Sequence, residues 1–520
     1  MSKMTKTIHH LQSFVATYSE LAVLGLGPEQ RLTCEEIERF VTDPTARSEF
    51  TPEARRAMRK STRVLAKARA DGQEIYGLTT GFGPHVKYAA STCADTQGAG
   101  LIAHLGAGFG SPASPEVVLA TMLIRARTLA EGMSGIELEV ADALMGLINA
   151  RVIPVVPEIG SVGASGDLIP LSFIARVLMG EGEAVVAGQR LSGADALRVA
   201  GLKKLNLSGR DALALVNGTA FMTAFSALAL ARAERLVLHA ERLTGWVYRV
   251  LGCRAQALDA RLHKARGHPG QMTSAANILQ EASRFGTWED VSRPLQEVYS
   301  LRCAPQILGA CRDQLAHARN MIERELNGVN DNPVVWSGDA QDLDQAVLHG
   351  GNFQGQQVAF ASDAINTALV QTAVLAERQI DVLVNPEFNG AAPLLLAWQP
   401  GATSGMAGAQ LTATALVAEM RHHSMPVAIS SIPTNGRNQD VVSMGTLASR
   451  AALGQTDRVA GVLAILGMCA DQLTSLRSKG RASGRTTPRP DWFGAFEAFE
   501  ADRPLFADIH RLSESLIKVA

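Results

Sequence analysis

Aromatic side chains are scarce in this chain: tryptophan, tyrosine and phenylalanine make up 5% of its 520 residues. So few rings disfavour a β-rich core, and the abundant alanine and leucine favour helix. Net charge is also nearly missing, with 49 lysine and arginine residues against 50 aspartate and glutamate. Nothing in that balance attracts nucleic acid or an anionic membrane, so a small or neutral ligand is expected. The six cysteines, Cys34, Cys93, Cys253, Cys303, Cys311 and Cys469, form no C-x-x-C pair. That spacing argues against a zinc site or a disulfide scaffold and predicts reduced thiols in a cytoplasmic protein. The N-terminus lacks a basic segment leading into an apolar core, so no secretion signal is expected. No run is apolar for long enough to predict a membrane span.

What the chain does have is a run of small residues from Gly160 to Pro170, Gly-Ser-Val-Gly-Ala-Ser-Gly-Asp-Leu-Ile-Pro, followed at once by an apolar helical pattern. One reading is a glycine-rich loop with Ser165 or Asp167 capping the helix through Ile169, Phe173 and Val177. A hydrolase nucleophile elbow needs glycine two places on either side of the serine, and Asp167 occupies one of those places. A third reading is chemical. The Gly166 nitrogen attacks the Ala164 carbonyl, and loss of water, together with dehydration of Ser165, leaves a five-membered electrophilic ring. Glycine leaves the nitrogen uncrowded, alanine leaves the carbonyl accessible, and serine supplies the hydroxyl to be eliminated.

Other motifs stand along the chain in isolation. Tyr76 to Pro84, Tyr-Gly-Leu-Thr-Thr-Gly-Phe-Gly-Pro, is a loop that keeps one phenol among three glycines. His104 and Leu105 precede a G-x-G-x-G that lacks the strand a dinucleotide site requires. Asn217 lies between an apolar run and a glycine, where a cap or turn is the ordinary role. Tyr299 and Arg302 stand three apart, on one face if a helix has begun there, where a surface ion pair is the ordinary role of the arginine.

Taken together, these motifs resemble those of the aromatic amino acid ammonia-lyases and aminomutases, in the family's order from about Tyr76 to Arg477. The resemblance implies a self-made methylidene-imidazolone (MIO) formed from Ala164, Ser165 and Gly166, with no added cofactor and no metal. It implies Tyr76 as the base on a lid that includes Gly83, Asn217 as holder of the ring's carbonyl, and Tyr299 as a second catalytic tyrosine. Arg302 becomes the carboxylate clamp, an assignment its planar fork suits. Phe353 matches a wall of the site, and Asn435 and Gln439 complete the set. The pair His104-Leu105 resembles tyrosine-preferring lyases, in which the imidazole meets the substrate phenol, and Gln439 stands where histidine lyases have glutamate. Two departures, Met406 and Arg437, are expected beside the substrate ring.

The activity implied is a tyrosine ammonia-lyase, with an aminomutase or a phenylalanine or histidine lyase as alternatives and a silent helical assembly protein as the non-enzymatic one. A homotetramer with shared sites is implied as well. The expected fold is mainly α: an N-terminal mixed domain, residues 1–220, carries the loop and lid, and a long-helix bundle with a short C-terminal segment occupies 221–520. Two stripes, Leu308-Cys311-Leu315-Ala318-Ile322 and Val459-Val462-Leu466-Cys469-Leu473-Leu476, are predicted to be its buried seams. Asn435 to Asp440 is expected to open the last long helix, Val334 to Leu348 to form a hairpin with an acidic tip, and Arg477 to Arg489 to be a solvated linker.

Overall fold

The computed structural model describes residues 23–90, 94–290, 292–336 and 346–518. Cys93, the N-terminal segment without a leader pattern and the acidic tip of the Val334–Leu348 hairpin lie outside the described residues.

The N-terminal part opens with α1 (Cys34–Thr42) and α2 (Pro52–Ala70), and both begin where the sequence signals them. Thr33 and Glu36 form a reciprocal capping box, and Thr51 caps a helix with proline in its first turn. There follow α3 (Ala94–Leu105), α4 (Pro115–Ala130), α5 (Leu138–Asn149), α6 (Leu168–Leu178) and α7 (Gly209–Val216). Strands are few and short. The hairpin Glu183–Val186 with Gln189–Ser192 carries Ile153–Pro154 on its outer edge.

From Ala220 onward long helices take over: α8 (Ala220–Leu251), α9 (Pro269–Ser283), α10 (Ala304–Leu326), α11 (Gln356–Val384), α12 (Ala407–His422), α13 (Gly445–Ser478) and α14 (Phe506–Ile517). Helices α8, α11 and α13 pack on one another, with α10 against α11 and α8. Both predicted seams are buried, every member at 4% exposure or less. Each large apolar side chain withdrawn from water in this way contributes about 1.5–3 kcal/mol before the entropy of ordering it. By length and composition α11 and α13 could cross a membrane; here both lie largely within the bundle.

Two expectations need correction. The last long helix begins at Gly445, not near Asn435, because Asn435, Gly436 and Arg437 have φ of 55°, 64° and 65° and form a left-handed turn that no α-helix continues. Arg477 is packed, not solvated: it is 8% exposed and donates to the carbonyls of Val250, Asn389 and Ser483. Burial lowers its pKa to about 10. Met406 is fully buried where Ala407 starts α12, its N–H bonded to the Leu395 carbonyl.

Candidate active site

The Gly160–Pro170 loop lies where four helices begin. Asp167, which precedes α6, is fully buried, and its carboxylate does not cap its own helix. It instead accepts the Met222 N–H in the first turn of α8 at 2.8 Å, the Thr446 hydroxyl in the first turn of α13 at 2.6 Å, and the Ser161 hydroxyl at 2.7 Å. Burial pushes this carboxyl's pKa up, and the three donors pull against that shift. Gly355, at the start of α11, closes the group, since a Cβ there would fall 2.3 Å from the Met222 sulfur. The N-termini of α6, α8, α11 and α13 thus bring their positive ends to one place.

The loop itself requires its glycines. Gly163 and Gly166 have φ of 68° and 67°, a region open to glycine at little cost. A Cβ on Gly166 would meet the Gly218 carbonyl oxygen at 2.1 Å, and one on Gly163 would meet the Ser443 hydroxyl at 2.2 Å. The Asp167 N–H donates to the same Gly218 carbonyl at 2.7 Å, so the loop is pressed onto the chain beside Asn217. Ala164 packs on Val442 and Met444.

Ser165 is held at both ends. The Asn217 side-chain amide donates to the Ser165 carbonyl at 3.3 Å, and the Gln439 amide donates to the Ser165 hydroxyl at 3.0 Å. Thr434 orients that glutamine by donating its own hydroxyl to Oε1 at 2.7 Å. The Asn217 Oδ1 is buried without a partner. A cyclised Ala164-Ser165-Gly166 would fit these surroundings: the Ser165 carbon that would become exocyclic carries a hydroxyl that accepts a hydrogen bond, and a side-chain amide meets the Ser165 carbonyl.

Tyr76 sits in a tightly fixed loop. Ile75 before it is buried on Leu65, Ala68 and Val335, and Gly77 after it (φ 70°) has no room for a Cβ against Leu213 and Phe82. The Tyr76 phenol oxygen accepts the Gly83 N–H at 2.7 Å, and the Tyr76 N–H donates to His349 Nε2 at 3.1 Å. The turn Gly83–Lys87 packs on Asn435–Arg437, with Asn435 Nδ2 3.2 Å from where a Gly83 Cβ would lie. Within one chain the surroundings of Tyr76 favour the neutral phenol. Burial raises the Tyr76 pKa above the usual phenol value, and the Gly83 N–H only partly counters it.

His104 and Leu105 end α3, which packs against α6, and the Leu105 carbonyl accepts the Ser172 hydroxyl of α6 at 3.2 Å. His104 is exposed, its Nδ1 within 3.2 Å of the Gly100 carbonyl, whereas Leu105 is 7% exposed. Phe353 is half-buried two residues before Gly355.

Tyr299 and Arg302 are elsewhere. They form a single helical turn, Tyr299–Arg302, whose Ser300 carbonyl accepts Gln379 Nε2 at 2.9 Å. Gln379 is 24 residues along α11 from Gly355, which places the turn about 36 Å from the triad end at 1.5 Å per residue. The two side chains do share a face, with the guanidinium carbon 4.6 Å from the ring centre, and Tyr299 is 69% exposed. One chain therefore gathers Tyr76, Gly83, Ala164, Ser165, Gly166, Asn217, Asn435 and Gln439, and leaves Tyr299 and Arg302 at the opposite end of the bundle.

Beneath the site lies a charge cluster that motif matching overlooks. Arg125 and Arg210, 1% and 2% exposed, share the Asp331 carboxylate at 3.2 and 3.0 Å. Arg125 also donates to the Ala214 carbonyl near the end of α7, three residues before Asn217. The signal was present in the sequence: two arginines, Arg125 and Arg127, interrupt an otherwise apolar helix.

The chain is similar to known proteins along most of its length. The aromatic amino acid lyase family profile matches residues 32–490. A histidine ammonia-lyase of Gloeobacter violaceus is 40% identical over 477 residues, 89% of this chain and 90% of that protein. A tyrosine ammonia-lyase of Cereibacter sphaeroides is 39% identical over 498 residues, 91% of this chain and 94% of that protein. The crystal structure of a tyrosine aminomutase from Streptomyces globisporus superposes with a TM-score of 0.86 at 32% identity, covering 96% of this chain and 97% of that one. The chain belongs to the MIO-dependent aromatic amino acid lyase and aminomutase family and is a carbon–nitrogen lyase.

Proposed function

We propose that this protein is a tyrosine ammonia-lyase, releasing ammonia from L-tyrosine to give p-coumarate, with a methylidene-imidazolone made from Ala164, Ser165 and Gly166. The observation that carries the reading is the grip on Ser165, with its carbonyl on Asn217 and its hydroxyl on Gln439 in a loop too tight for any residue but glycine at 163 and 166. Asn217 and Gln439 would hold the ring, which would supply an electron-poor alkene able to make the substrate amino group a better leaving group.

The side chains do the rest. Tyr76 removes the β-proton, a task that suits a phenol only if its pKa comes toward the working pH. Arg302 of a second copy, brought by tetramerisation, binds the carboxylate and adds a cation near the phenol. His104 offers the substrate hydroxyl a hydrogen-bond partner, without which burying a phenol is costly. Gln439, neutral where a carboxylate would pair with a charged imidazole, supports a phenol ring over histidine. The near balance of charge supports a small zwitterionic substrate, and the scattered cysteines support a cytoplasmic setting.

The similarity to a tyrosine aminomutase supports a second reading, in which the ammonia returns to the neighbouring carbon. Incubation with tyrosine, phenylalanine and histidine separately decides among them. Coumarate from tyrosine supports the lyase, β-tyrosine the mutase, and urocanate from histidine overturns the assignment of the ring. An intact mass with no water lost from the polypeptide defeats all three.

A further inference from the structure

The turn that carries Tyr299 and Arg302 is anchored by an ion pair outside the matched motifs. Arg293 Nε and Nη2 donate to the two Glu297 carboxylate oxygens at 2.8 and 2.6 Å, with the side chains 13% and 8% exposed. The remaining Arg293 Nη1 donates to the Phe388 carbonyl at 2.7 Å, just past the end of α11. The next carbonyl, that of Asn389, is held by Arg477 at 3.0 Å. Glu297 in turn accepts Arg302 Nε on its own backbone carbonyl at 2.9 Å. With Nε committed and one face near the Tyr299 ring, the two Nη groups of Arg302 make no hydrogen bond to another described residue. They are the pair that can grip a carboxylate through two parallel bonds.

We propose that Arg293 and Glu297 are positioning residues: their buried ion pair fixes the carbonyl to which Arg302 Nε is tied, and so aims the Arg302 Nη pair at the substrate carboxylate. Neither residue touches substrate. The inference rests on the reading of Arg302 as the clamp. A fork-shaped contact tolerates little rotation, so a slackened Glu297 backbone costs carboxylate recognition and leaves ring recognition alone.

The test uses the full-length protein carrying Ser165→Ala, which cannot turn over, and compares p-coumarate with 4-vinylphenol, the same ring without the carboxylate. Glu297→Gln is expected to weaken coumarate binding by about tenfold and vinylphenol binding by less than about twofold. Arg293→Lys keeps the charge but loses the fork and is expected to shift the same ratio in the same direction; it decides the matter if Glu297→Gln does not fold. Equal weakening of both ligands, or an unchanged ratio in the folded variant, overturns the brace. Arg302→Ala tests the premise separately: if coumarate binding is unchanged there, the clamp assignment fails, whereas a loss there with none in the brace variants refutes the brace alone. In the unmutated background Glu297→Gln is expected to raise KM more than it lowers kcat.

Discussion

The phenolic oxygen of Tyr76 accepts the backbone N–H of Gly83 at 2.7 Å, across its own loop, so the side chain is held before any substrate arrives. That hydrogen bond favours the phenolate but does not outweigh burial, and the pKa stays above the ordinary phenol value within one chain. The phenolate fraction therefore grows as pH rises toward that pKa.

The first expected outcome is a kcat/KM that climbs on the alkaline side, by about tenfold per pH unit while the phenol remains mostly protonated. Tyr76→Phe should cost about 10²–10⁴ in rate and abolish that dependence. A profile flat from neutral to alkaline pH would remove Tyr76 from the role of base.

Ring formation should depend on backbone space at Gly166 as well as on the Ser165 hydroxyl, and the two can be separated. Gly166→Ala places a methyl 2.1 Å from the Gly218 carbonyl oxygen in a left-handed conformation. It should yield protein whose intact mass retains both waters. Ser165→Ala lacks the hydroxyl but fits the loop, so its thermal unfolding should match that of the parent. An undiminished loss of water in Gly166→Ala would contradict the tight-loop account.

Ring preference should respond to His104. Replacing it with phenylalanine removes the polar partner offered to the substrate phenol, and the ratio of kcat/KM for tyrosine over phenylalanine should fall by about 10- to 200-fold. Specificity that does not move would place the phenol elsewhere.

Stability should depend on Asp331. Its carboxylate is the shared partner of two buried guanidinium groups, and Asp331→Ala leaves both without it. The expected cost is about 3–5 kcal/mol, read as a lowered unfolding midpoint. Because Arg125 also holds the Ala214 carbonyl near Asn217, water loss at the triad should fall in parallel.

Much of this was legible in the sequence. Apolar spacing alone identified the buried seams, since a helix face repeats every three to four residues whatever surrounds it. Thr33 and Thr51, each with its side chain on a backbone N–H three residues on, cap their helices for an equally local reason. The triad, Tyr76, Asn217 and Gln439 were legible as motifs, although nothing local shows that they meet. The errors are of the same kind. Asn435-Gly436 signals a turn as readily as a helix start, and Arg477 resembles a linker residue until the carbonyls of Val250 and Asn389 are placed beside it. The distance between Tyr299 and Tyr76 depends on the direction and length of α11, which no spacing of letters reveals.

That length has a genetic consequence. On the proposed assignments, a polypeptide with Arg302 one long helix away from its own Tyr76 can lose either residue and still donate the other. Tyr76→Phe and Arg302→Ala chains, each inert when purified alone, should regain a fraction of wild-type turnover once unfolded together and reassembled, because some mixed assemblies then draw an undamaged half-site from each parent. Two null alleles of this kind would complement one another in a single cell.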